Sequence, residues 1–163
     1  MSKTFEWDSA RLEAMFERLS PKNIQAFEGE SIDKAMSQLY DTTIANLTSR
    51  VSGATRSGVT PMGKPTKPMT KGVKKNVDKA YATGVIHIMG DYRLKWFEMG
   101  TDPRYTTGAR SKNRTDIKKR IPAGVYRGQI SPERFFKDAR DNAKVIDTYC
   151  ETLMKSIEDA FNS

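Results

Sequence analysis

His87, Cys150 and Glu98 are the side chains whose types and settings invite a chemical reading. His87 is the only histidine, and it sits inside the β-branched run VIHIMG between Ile86 and Ile88. Nucleophilic catalysis needs a Ser or Cys beside a base that a third group orients. No such set surrounds His87, which reads as a strand residue. Cys150 is the only cysteine, so no disulfide forms within the chain. It falls on the apolar side of the last helical pattern and is expected in the core. One Cys and one His cannot build a zinc site from several such ligands, and the carboxylates form no cluster that would replace them. The stretch GVTPMGKPT has glycines but lacks the GxxxxGK[ST] order of a phosphate-binding loop. No metal or cofactor is expected.

Glu98 stands in KWFEMGTDPR, between Trp96-Phe97 and Met99, just before Gly100-Thr101 and a Pro turn. A general acid or base would want a second acid or a nucleophile positioned to work with it, and the sequence marks no such pair. What remains is a carboxylate that accepts backbone N–H bonds or pairs with Arg or Lys. An ionised carboxylate buried without such partners costs several kcal/mol. Glu98 is therefore expected to be structural or to join subunits.

These residues need elements to hold them. The chain has 163 residues, the length of a single domain that buries roughly 70% of its unfolded surface. From Asp8 as N-cap, Leu12, Met15, Phe16 and Leu19 repeat on one helical face. Ser20-Pro21 ends or restarts that helix. A second helix is predicted from Ser31, as capping residue, to Arg50, with Ile32, Ala35, Met36, Leu39, Tyr40, Thr43, Ile44 and Leu47 on one side. Residues 52–72 are rich in Gly, Pro and Lys and read as a mobile basic loop. GVKKNV and VIHIMG are expected to pair as antiparallel strands. YRLKWFEM fits a third strand or a short helix. Residues 101–127 form a basic insertion. Ser131 as N-cap, Pro132 at the first helical position and Glu133 then predict a helix start. An apolar stripe from Phe135 to Phe161 predicts a helix of about thirty residues, roughly 45 Å long at 1.5 Å per residue. A helix of that length is expected to pack partly on another subunit. The fold class that follows is α+β, a small antiparallel sheet packed against two N-terminal helices and one long C-terminal helix.

The charge is uneven. The chain carries net +8, yet residues 50–128 hold 18 Lys plus Arg against 5 Asp plus Glu, leaving 10 basic and 15 acidic residues on the flanks. Such asymmetry suits a polyanion or the acidic flank of a neighbouring copy. Phosphate neutralisation needs only basic side chains on one surface, while sequence specificity would need a reading helix or strand, and none is evident. No apolar run approaches the ~18 residues that span a bilayer, and the first residues lack the pattern of a secretory signal. The expectation is a chain that folds in a cytoplasm, with no membrane partner.

KWFEMGTDPR followed by RGQISPERFFKDA resembles the neck or tail-completion family of long-tailed bacteriophages. Its members join an aromatic-Glu-x-Gly-Thr motif to a downstream Pro/aromatic-Phe-x-x-Ala motif. Here the first motif is Trp96, Phe97, Glu98, Met99, Gly100 and Thr101, and the second is Pro132 with Phe135, Phe136 and Ala139. The resemblance implies a non-enzymatic virion protein, made in the host cytoplasm and assembled as a ring of six or twelve copies. The ring would sit between head connector and tail and leave a channel for DNA. It implies contacts with other copies, with connector or head-closure proteins and with tail proteins. Trp96, Phe97, Glu98, Gly100, Thr101, Phe135 and Phe136 would then serve the fold or the subunit interface. Lys112, Arg114, Lys118, Lys119 and Arg120 would face the lumen, touching DNA without sequence preference, or meet an acidic partner. The family's segment between the motifs is often shorter than the one here. The alternative is a sequence-nonspecific DNA-binding module of a host or mobile element.

Overall fold

The computed structural model describes residues 9–59, 63, 65–105 and 124–162. The architecture is α+β, organised around one long helix. Helix α1 spans Ser9–Arg18 and α2 spans Pro21–Arg50. Two short strands, β1 (Gly58–Val59) and β2 (Pro65–Thr66), pair antiparallel, and a 3-10 turn follows at Met69–Gly72. Strands β3 (Lys74–Asp78) and β4 (Thr83–His87) form a second antiparallel pair, with Lys75 opposite Ile86 and Val77 opposite Gly84. Helices α3 (Tyr92–Met99), α4 (Phe135–Asn142) and α5 (Val145–Asn162) complete the chain. No helix among the described residues is long and apolar enough to cross a membrane.

Helix α2 is the spine. Its 30 residues give about 45 Å of length, and β3, β4, α4 and α5 all pack along it. It starts at Pro21, where a missing N–H costs nothing because the first turn has no acceptor for it. The predicted start at Ser31 is wrong. Ser31 lies mid-helix and buried, with its hydroxyl donating to the Phe27 carbonyl at 2.7 Å. Asp8, the predicted cap of α1, lies outside the described residues.

Two apolar clusters divide the spine. The first gathers Leu47, Val51, Ala54, Met69, Val73, Leu94 and Phe135 at its C-terminal end. The second joins Met36 and Leu39 to Ala139 and Ala143. Leu47, Leu94 and Phe135 have no exposed surface, and burial of each such side chain contributes about 1.5–3 kcal/mol. Ala54 and Met69 come from the segment expected to be a mobile loop, so both of its ends are anchored in the core. Strand β4 approaches α2 closely at Gly84, where a Cβ would collide with the Met36 side chain. Ion pairs from Lys75 and Lys79 of the β3 hairpin to Asp33 of α2, at 2.7 and 3.0 Å, fix the same contact from the polar side.

The C-terminal third departs from expectation. The run YRLKWFEM, compatible with strand or helix, is the helix α3, and Asp91 caps it by accepting from the Arg93 N–H at 2.9 Å. The thirty-residue helix is two helices. Lys144 takes φ 44° between them, which lets α4 lie on Leu39 while α5 turns back along α2 towards α1. Ser131, Pro132 and Glu133 precede α4 without regular secondary structure, and the helix begins at Phe135. Cys150 is exposed, not core. His87 lies in β4 as expected, on its exposed face.

Candidate functional site: a junction of two motifs

Helix α4 lacks a capping residue of its own. Arg134, at its N-cap position, has left-handed φ 48° and ψ 34° and makes no side-chain cap bond. The first amides of α4 therefore need an acceptor from elsewhere. Glu98 supplies it. Its Oε2 accepts from the Phe136 N–H and its Oε1 from the Lys137 N–H, both at 2.9 Å. A carboxylate at this end also meets the positive pole of the helix dipole. Both oxygens are thus engaged with backbone amides.

The rest of the two motifs closes around that contact. The Glu133 N–H donates to the Phe97 carbonyl at 2.7 Å, and the Thr101 N–H donates to the Ile130 carbonyl at 2.9 Å. Thr101 Oγ1 accepts in return from the Ile130 N–H at 3.0 Å. Gly100 joins α3 to this ladder with φ 77° and ψ −177°, a region open to little but glycine. A Cβ there would lie 2.9 Å from the Ile130 oxygen. Phe135 is buried and Phe136 and Phe97 pack against the first cluster.

The last turn of α2 reaches the same junction. Asn46 Nδ2 donates to the Phe135 carbonyl at 3.1 Å. Arg50 donates to the Glu133 carbonyl at 2.7 Å and pairs with Asp138 at 2.5 Å. Asn46 and Arg50 lie about ninety residues upstream, on a helix whose pattern signals only an apolar face, and no local signal marks them. Asp91 is held by Arg93 beneath α3, and the guanidinium beside it keeps its carboxyl below the usual carboxylate range. Arg93 also donates to the Lys67 carbonyl at 2.8 Å, tying α3 to the preceding loop.

Of the predicted motif residues, Phe97, Glu98, Gly100, Thr101, Phe135 and Phe136 meet in one place. The Trp96 side chain does not point into it. It is 39% exposed and edge-on to Tyr92, with ring centroids 5.1 Å apart. Beside it an open groove of about 350 Å³ runs between α3 and residues 129–132, lined by Lys95, Trp96, Met99, Asp102, Ile130 and Pro132 among others. The basic insertion leaves this junction as a two-stranded ribbon. Arg104 bonds to Arg127 and Gly128 through the backbone, and Tyr105 bridges to Tyr126 with their rings 5.6 Å apart. Lys112, Arg114, Lys118, Lys119 and Arg120 lie outside the described residues. Among those described, no three of His, Cys, Asp and Glu come together as a metal site would require. Comparison with protein-family models, with curated proteins and with solved structures finds no match to this chain.

Proposed function

We propose that the protein is a non-enzymatic structural component of a tailed-phage virion, part of the neck ring that joins the head connector to the tail around a channel for DNA. One observation carries this reading. The two short stretches that resemble the neck family, 30 residues apart in sequence, meet through Glu98 and Thr101 as a single structural unit. A residue set that caps a helix and locks a chain reversal serves shape, and a neck protein works by shape. Large apolar side chains left in water, among them Tyr92, Met99, Ile146 and Met154, suit a subunit that buries them on assembly.

On this reading the gene belongs to a phage genome, and its disruption there is the test. Disrupting it is expected to yield filled heads and separate tails, and supplying the protein in trans restores joined particles. Joined, infectious particles without the protein would remove the proposal. The second reading, a DNA-binding module without sequence preference, draws on the exposed ribbon that presents Arg104, Tyr105, Tyr126 and Arg127 at the root of the basic insertion. A monomer that binds duplex DNA tightly would favour it.

A further inference from the structure

Two exposed apolar faces lie towards opposite ends of the spine, and they differ in charge. On α3, Tyr92, Lys95, Trp96 and Met99 share one helical face at spacings of three and four, all of them exposed. This face borders the groove, while Leu94, on another side of α3, joins Leu47 and Val51 in the cluster at the C-terminal end of α2. The groove itself carries one charge of each sign, Lys95 and Asp102, and the segments that surround it are basic. Residues 50–59, 65–73, 91–105 and 124–134 together hold 9 Lys plus Arg against 4 Asp plus Glu.

Helix α5 runs the other way along α2. Thr148 bonds to Gln38 near the middle of the spine, and beyond it α5 meets α1. Its inner side, with Val145, Thr148, Tyr149 and Thr152, is half-buried against α2. Its outer side repeats Asp147, Glu151, Met154, Glu158 and Phe161 on one stripe, all exposed. Ile146 beside it is 77% exposed. Helix α5 holds four acidic residues and one basic.

We infer that the acidic, apolar outer stripe of α5 docks on the basic, aromatic face and groove of α3 in the next copy of this chain. The inference rests on the ring reading above and names the surfaces that would form the ring. Charge complementarity selects the occupant, because the acidic stripe repels its own kind and the basic segments around the α3 face attract it. Aromatic and methionine side chains at the centre and charges at the rim are the composition of a protein interface. Two different faces make a head-to-tail contact, which closes into a ring or continues as a filament according to its rotation.

The test uses the full chain and its exposed residues. Wild type at sub-millimolar concentration is expected to form species larger than a dimer by light scattering and native mass spectrometry. Trp96→Glu or Met99→Glu on one face, and Met154→Lys or Phe161→Ser on the other, are each expected to weaken self-association by roughly 30-fold, with unchanged helical circular dichroism. Mixing a variant of the first kind with one of the second restores a one-to-one dimer, because each brings one intact face. Variants that still assemble like wild type, or a mixture with no dimer, would overturn this interface while leaving the neck reading intact. A wild type that stays monomeric also overturns it, and the gene disruption then judges the neck reading separately.

Discussion

The carboxylate of Glu98 receives the amides of Phe136 and Lys137, 38 and 39 residues later, so the end of α3 starts α4. The acceptor that usually precedes a helix by a residue or two is here delivered from another element. Replacing it removes a charged, bidentate cap. Glu98→Ala is expected to cost about 2 kcal/mol, and Glu98→Gln about 1 kcal/mol because one oxygen remains. Urea unfolding measures both, and variants as stable as wild type would show that the cap is dispensable.

Gly100 holds a backbone conformation that side chains do not tolerate, with the Ile130 oxygen in the space a Cβ would take. Gly100→Ala is expected to destabilise the fold by more than about 1–3 kcal/mol, the usual cost of such strain, since the clash adds to it. Thermal unfolding reads the change, and the Thr101–Ile130 amides should lose protection from hydrogen exchange with it.

The Asp91–Arg93 pair gives the fold an acid-sensitive contact. Arg93 lowers the Asp91 pKa in the folded chain, so the unfolded chain binds the proton more readily. The stabilisation is then full above the unfolded value of about 3.9 and disappears as pH falls through the lower, folded value. Asp91→Asn is expected to lower the melting temperature at neutral pH, and the gap from wild type should narrow below about pH 3.9. A gap independent of pH would assign the contact's worth to shape alone.

Neutralising Lys112, Arg114, Lys118, Lys119 and Arg120 together is expected to reduce non-specific DNA binding in a low-salt mobility assay and to leave the melting temperature unchanged. The salt dependence of binding should become shallower as phosphate contacts are lost. Binding as strong as wild type would remove these five residues from any lumen surface.

The sequence makes some of this visible and hides the rest for physical reasons. The strands β3 and β4 follow from β-branched alternation, and α1 from its apolar spacing. The motif pair draws notice to Glu98 and Phe135 from the sequence alone. Ser31 misleads because a serine hydroxyl caps a helix or bonds back to the carbonyl four residues earlier with equal ease. Ser131-Pro132-Glu133 misleads for a related reason. Local residues carry a complete start signal, yet the acceptor for α4 comes from Glu98, and a cap from afar leaves no mark beside the helix it caps. The break at Lys144 has neither Gly nor Pro to announce it, and packing of Ala139 and Ala143 on Leu39 decides it.

The ribbon through Tyr105 and Tyr126 returns the chain to where it left. The entropy of closing a loop grows only with the logarithm of its length, about 0.6 kcal/mol for each doubling. The contacts that close the junction of Glu98, Thr101 and Phe135 all lie outside residues 106–123, so a change of length or sequence there leaves those contacts in place. Scaffold and insertion are thereby separable parts, joined where the chain leaves and re-enters at Tyr105 and Tyr126.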